Sequence, residues 1–351
     1  MASKYRLTDE SMIHNGHKLW RIVENSTGLK GGWIEKELNL SHYEDCMIWG
    51  EAKVYGNAMV SGNAIVTDYA EVYDSAKVFG NARVSDNAKV GLRTEILGYA
   101  QVAGFAQVAG AIMICDEAEI NEHAVIQGDV TIRGVSKVYG EARVFDTAMI
   151  RDASEVYDKA QIYGAAVIQG NAKVYDEAHV CEYVLVTGNT EIYDYAFVAG
   201  YGIMSLNCKI YGHARLEGRV ILGDFAQVYG KAQLKGNITL LNNAEVYDDA
   251  VLEGVVFVVD NAKVFEEAQV AGGFAAIRNN GCIYGQAKIY DFASVYGNGQ
   301  VYGQAIIQNY GQVFEEAIVR DQALVKDYAR VYGHAVIGGN TVVAHNENVF
   351  E

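Results

Sequence analysis

From Ile48 onward an aliphatic residue recurs at every sixth position. Val54, Val60, Val66, Val72 and Val78 open a series that runs without a break to Val270, and every stop is Ile, Val, Leu or Met. One extra residue falls between Ala271 and Ala276; the count resumes at Ile277 and continues to Val349, so 38 hexads precede the insertion and 13 follow it. Two positions before each stop sits a small residue, as at Ala52, Ala58 and Ala64, with exceptions such as Ile112 and Glu347. Apolar positions two apart alternate as in a strand. The pair that follows carries Gly, Asp, Asn or Glu, as in Gly56-Asn57 and Asp86-Asn87, residues suited to the positive φ of a tight corner. A strict period of six does not supply the 3.6-residue spacing of a helix. The chain therefore predicts a solenoid of very short strands and corners.

A second period fixes the number of corners per coil. The residue after every third stop is aromatic, in the order Tyr139, Tyr157, Tyr175, Tyr193, Tyr211, Tyr229, Tyr247, Phe265, then Tyr284 and Tyr302 beyond the insertion. The residues before those stops begin Lys137, Glu155, Lys173, Glu191, Lys209, so opposite charges are expected to stack on neighbouring coils. Both columns repeat every 18 residues, which makes each coil a triangle of three hexads. The 51 hexads then give about 17 coils, a rod of about 80 Å at the usual strand spacing.

The unit A-x-V-x-G-N resembles the hexapeptide-repeat family over residues 48–350. The resemblance implies an all-β fold, a single-stranded left-handed parallel β-helix. Residues 1–47 do not repeat and are expected to form a cap, with 48–351 as the helix. Within the cap, Ile13-His14-Asn15-Gly16-His17-Lys18-Leu19 reads as two strands around an Asn-Gly turn. Trp20, Trp33 and Trp49, all the tryptophans of the chain, are expected to cover the first coil. Gly31-Gly32-Trp33-Ile34, Asn39-Leu40-Ser41 and Trp49 leading into Ala52-Lys53-Val54-Tyr55-Gly56-Asn57 are similar to the start of YdcK-like hexapeptide transferases of bacteria and phages. Activity in that group is inferred from fold. At the other end the repeat runs through Val349, and either the last residues fold back or another chain covers the strand edges.

Composition narrows the partners. A formal charge of −16 over 351 residues argues against direct binding to nucleic acid or an anionic membrane. Half of the residues are hydrophobic, yet no long apolar run or signal-like segment stands at the start, which predicts a soluble chain. Five cysteines with no CxxC spacing predict free thiols and a cytoplasmic setting. With 37 glycines and no proline, long loops are not expected.

Hexapeptide-family acyltransferases use a histidine base and loops extruded from the helix, usually in a trimer. His123, His213 and His334 stand where other hexads carry a corner Asn, and are the candidate bases. A single inserted residue leaves no arm for an acetyl-CoA-type donor. The carbonic anhydrases of this fold gather three histidines on zinc, and no such spacing occurs in the repeat; His14 and His17 flank an exposed turn and make a poor metal site. No cofactor and no metal is therefore expected. Corner acids such as Asp68, Asp74, Asp86, Asp116 and Glu122 spread over all three edges. That favours corner chemistry over an acidic decoy for a nucleic-acid-binding protein, which would concentrate charge on one side. The aromatic column from Tyr139 to Tyr302 is expected to face outward, either stacking from coil to coil to support neighbouring strands or serving as the candidate contact surface, for another subunit of a trimer or dimer, an unknown protein or an elongated ligand. A binding or assembly protein is the expected function, with a hexapeptide-family acyltransferase as the alternative.

Overall fold

A computed structural model describes residues 3–351, and the chain divides into two compact units, residues 1–176 and 177–351. Apart from one 3-10 turn at Glu37–Asn39, the regular structure is all strand.

In the first unit the strands are mostly two residues long. Lys137–Val138 pairs in parallel with Glu155–Val156, and that strand with Lys173–Val174, so each strand lies beside its counterpart 18 residues on. The inward residues of these coils, among them Val138, Ala142, Val144 and Val174, are completely buried. Where Ala gives way to Thr94, Ser136 or Ser154 in the core, the hydroxyl donates to the carbonyl oxygen three residues earlier, which satisfies it without widening the coil.

The N-terminal end is built on β1 (Tyr5–His14) and β2 (His17–Glu24), antiparallel and joined at Asn15-Gly16, both with positive φ. Strand β3 (Lys30–Ile34) pairs antiparallel with β2 and parallel with Lys53–Val54. The tryptophans do not plug the end of the coil. Leu19, Ile22, Ile34 and Leu40 do, and all are buried, whereas Trp20, Trp33 and Trp49 fall on the alternate, outward positions and are half-buried. Lys18 lies over the Trp20 ring and Arg21 over the Trp33 ring. The inward column also continues before Ile48: Ile34 pairs with Val54, Leu40 bridges Val60 and Ile48 pairs with Val66. Eight positions rather than six separate Leu40 from Ile48, which conceals this coil from a strict hexad count. A Cβ on Gly32 would lie 2.5 Å from the Ile48 side chain, so the close seating of β3 requires glycine there.

The second unit keeps the same register, and a few of its strands are longer. Arg215–Leu222, Gln233–Leu240 and Val251–Val258 run straight through a corner at Gly218, Gly236 and Gly254, whose φ values of +97°, +121° and +86° flatten the turn into continuous strand. The inserted residue is a bulge. Gly254 pairs with Gly272 but Val256 pairs with Ala275, and the extra residue bows out with Phe274 exposed beside it. Asn348–Phe350 pairs in parallel with Arg330–Tyr332 rather than folding back.

Acidic corners recur in both units for a local reason. Asp86, Asp116 and Glu122 in the first, and Asp194, Asp224 and Asp321 in the second, adopt φ between +56° and +62°. Each carboxylate accepts the backbone N–H of the same corner on the next coil, as Asp116 does from Gly134 at 3.0 Å and Asp321 from Gly339 at 2.8 Å. Corner by corner, these carboxylates are spent on the coil itself.

Candidate functional site

The aromatic column is a stacked ladder in each unit. In the first, Tyr139, Tyr157 and Tyr175 lie 4.9 Å apart and parallel within 2°. In the second, Tyr193, Tyr211, Tyr229, Tyr247, Phe265, Tyr284 and Tyr302 continue the pattern at 4.7–5.1 Å. Their position after the stop was expected to present them outward. The rings are instead half-buried, since stacking on neighbours consumes their faces and leaves only edges to solvent.

A charge ladder runs beside the rings. Lys137 pairs with Glu119 at 3.0 Å and Lys173 with Glu155 at 3.5 Å; in the second unit Lys209 pairs with Glu191 at 3.0 Å and Lys263 with Glu245 at 2.9 Å. The two ladders are tied together, because Tyr139 donates to Glu155 and Tyr229 to Glu245, the same carboxylates that hold the lysines. Burial, the nearby carboxylates and neighbouring phenols all disfavour phenolate here, and the Tyr247 hydroxyl is pushed up to about 12.

The three candidate histidines are brought to no common site. His123 stacks on Phe105 at 5.0 Å and His213 on Tyr195 at 4.7 Å, each on an exposed corner of its own unit. His334 is exposed and hydrogen-bonds through its backbone to Glu351. No carboxylate orients any of the three rings among the described residues, so the support that a general base draws from a third group is missing. His14 and His17 diverge: His14 meets Glu71 at 2.9 Å and His17 meets Glu35 at 3.0 Å. Among the described residues no cluster of three His, Cys, Asp or Glu side chains could hold a metal ion. All five cysteines are free thiols, and burial pushes those of Cys115, Cys208 and Cys282 up, which keeps them protonated and unreactive at neutral pH.

Two surface features escaped the hexad reading. One is a set of exposed corner aromatics three residues past a stop, among them Tyr69, Tyr99 and Phe105 in the first unit, and Tyr183 and Tyr201, then Phe292, Tyr310 and Tyr328, in the second, with Phe274 four past its stop at the bulge. Apart from Tyr99, their recurrence at multiples of 18 was the available signal. The other is an apolar strip on a different face, where the outward residues of successive strands in the second unit are Leu185, Ile203 and Ile221. A groove of about 780 Å³ in the first unit lies between the Tyr69–Phe105–His123 corner and an outward strand face carrying Lys53, Lys89 and Arg143.

Register, inward aliphatic column and positive-φ corners define a hexapeptide-repeat parallel β-solenoid. Within that class, residues 52–71 match the family described as YdcK Beta solenoid repeat. No curated protein matches the chain. No helix among the described residues is long and apolar enough to cross a membrane.

Proposed function

We propose that this protein is a non-enzymatic, cytoplasmic assembly scaffold in which the tyrosine-ladder face of one copy contacts a second copy. The observation that carries this reading is a stacked aromatic ladder whose flanking strand row has balanced charge on a strongly acidic chain. In the second unit the outward residues beside the rings are Glu191, Lys209, Gln227, Glu245 and Lys263, two acids balanced by two bases, while the chain as a whole carries −16. Two like-charged chains associate most readily through a face whose charges are already paired. Tyrosine edges add contact area with little side-chain entropy to lose, and hydroxyls that remain hydrated at a rim. The five free thiols suit a reducing compartment.

The test is molar mass in solution by light scattering. Wild type should run as a multiple of 38.3 kDa. Replacing Lys209 and Lys263 together by Glu leaves the rings in place but makes the face acidic, and should return the mass to that of a single chain with unchanged β-type circular dichroism. A monomeric wild type, or a double variant that keeps the wild-type mass, would overturn the reading. Acetyl-CoA should not shift the Tm at millimolar concentration; a shift abolished by His123→Ala, His213→Ala or His334→Ala would favour an acyltransferase instead.

A further inference from the structure

The groove in the first unit has a chemistry of its own. Its floor is a row of outward strand residues on successive coils, paired in the order Lys53, Glu71, Lys89, Gln107, Val125 and Arg143. Its wall is the corner that carries Tyr69 and Phe105, 61% and 54% exposed, with His123 stacked against Phe105. Lys89 and Arg143 form no direct ion pair among the described residues, although the charge of Lys89 already acts on Glu71 one coil away. They stand three coils apart, roughly 14 Å, while Tyr69 and Phe105 stand two coils apart, roughly 10 Å. Glu71 is already engaged. It accepts from Tyr55 and pairs with His14 at the tip of the β1–β2 hairpin, which anchors the hairpin at this end of the groove.

We propose that this groove binds an anionic oligosaccharide, an extended sugar chain carrying carboxylates at intervals. The exposed rings of Tyr69 and Phe105 offer flat apolar platforms to the C–H faces of pyranose rings. Asn87 and Gln107, both lining the groove, offer amide donors and acceptors to sugar hydroxyls. Lys89 and Arg143 offer charge-assisted hydrogen bonds to carboxylates borne on the sugar rings. The groove is long, shallow and without a lid, which suits a chain better than a compact metabolite. This inference is independent of the assembly reading, because its readout is ligand binding and not mass.

Titration calorimetry with hexamers of galacturonate, mannuronate and hyaluronan, against neutral cellohexaose and a twelve-residue thymidine oligonucleotide, tests it. At least one of the three acidic hexamers should bind, and more tightly than either control. Lys89→Ala combined with Arg143→Ala should weaken that binding by roughly tenfold or more. Phe105→Ala should weaken it similarly and Phe105→Tyr should restore it, with circular dichroism unchanged because Phe105 stands on an exposed corner. The proposal is overturned if no acidic hexamer binds, if the oligonucleotide binds more tightly than all three, or if the variants retain wild-type affinity.

Discussion

Val138 is fully buried in the coil, and its neighbour Lys137 is exposed beside Glu119, so a single step along the chain separates core from surface. Val138→Asp would leave an unpaired charge where no polar partner exists, and should destabilise the first unit by several kcal/mol, on the order of 3 or more. Glu117, exposed on a corner, should tolerate Ala within about 0.5 kcal/mol. Asp116 beside it is a different case. Its φ is +62° and its carboxylate accepts the Gly134 N–H, so Asp116→Ala loses both a hydrogen bond and a residue at ease in that conformation, a cost of about 1–2 kcal/mol. Asp116→Gly, which relieves the backbone, should cost less than Asp116→Ala. Urea unfolding of the four variants checks the order, and equal effects of Val138→Asp and Glu117→Ala would contradict the facing. This facing was legible in the sequence, because alternation alone sets which residues point inward. The stacking of the tyrosines was legible as well, since a column that repeats every 18 residues puts one ring on each coil; that the stack would leave mainly ring edges to solvent was not.

Among the elements, the tip of the β1–β2 hairpin is tied to the coils by carboxylate–histidine pairs. Desolvation would raise the Glu71 carboxyl, but the bonds from His14 and Tyr55 and the charges of His14 and Lys89 outweigh it and hold it below its ordinary 4.5; His17 and the Gly56 N–H do the same for Glu35. A carboxyl that is lower when folded stabilises fully above its unfolded value, and that stabilisation is lost as pH falls through the folded one. The hairpin should therefore stay docked at neutral pH and loosen below about pH 4.5. Trp20, Trp33 and Trp49 all lie at this end, so tryptophan emission reports on it selectively. Emission should shift to the red below that pH in wild type, and should already be shifted at pH 7 in Glu71→Gln. An unchanged spectrum down to pH 3 would contradict this docking. The opposite sign applies to the ladder, where the Tyr247 hydroxyl rises from 10.0 to about 12. Its stabilising share is complete below 10 and declines as pH climbs toward 12, so phenolate absorbance of the second unit should appear late and together with loss of β structure. The hairpin could be read from Asn15-Gly16, but its contacts with Glu71 and Glu35 could not, because they join residues 57 and 18 positions apart through the fold alone.

For the whole molecule, acidity is distributed so that much of it serves the corners, and the strand row beside the ladder is left with balanced charge. The hexad and 18-residue periods made the fold readable almost residue by residue from Ile48 onward. The contact surface was only half readable: the period located the column, while the exposed corner aromatics and the groove depend on which side chains project past the coil. Two faces could join copies of this chain, the charge-balanced ladder and the apolar strip with Leu185, Ile203 and Ile221. Gln227 lies on the first beside the rings, and Thr239 on the second in register with Ile221. Placing a photo-activated crosslinking residue singly at each position and irradiating the purified protein tests the central claim most directly. The account predicts a covalent dimer from position 227 and only background from position 239. A dimer from 239 with none from 227 would assign assembly to the apolar strip, and none from either would contradict an assembly role for both faces.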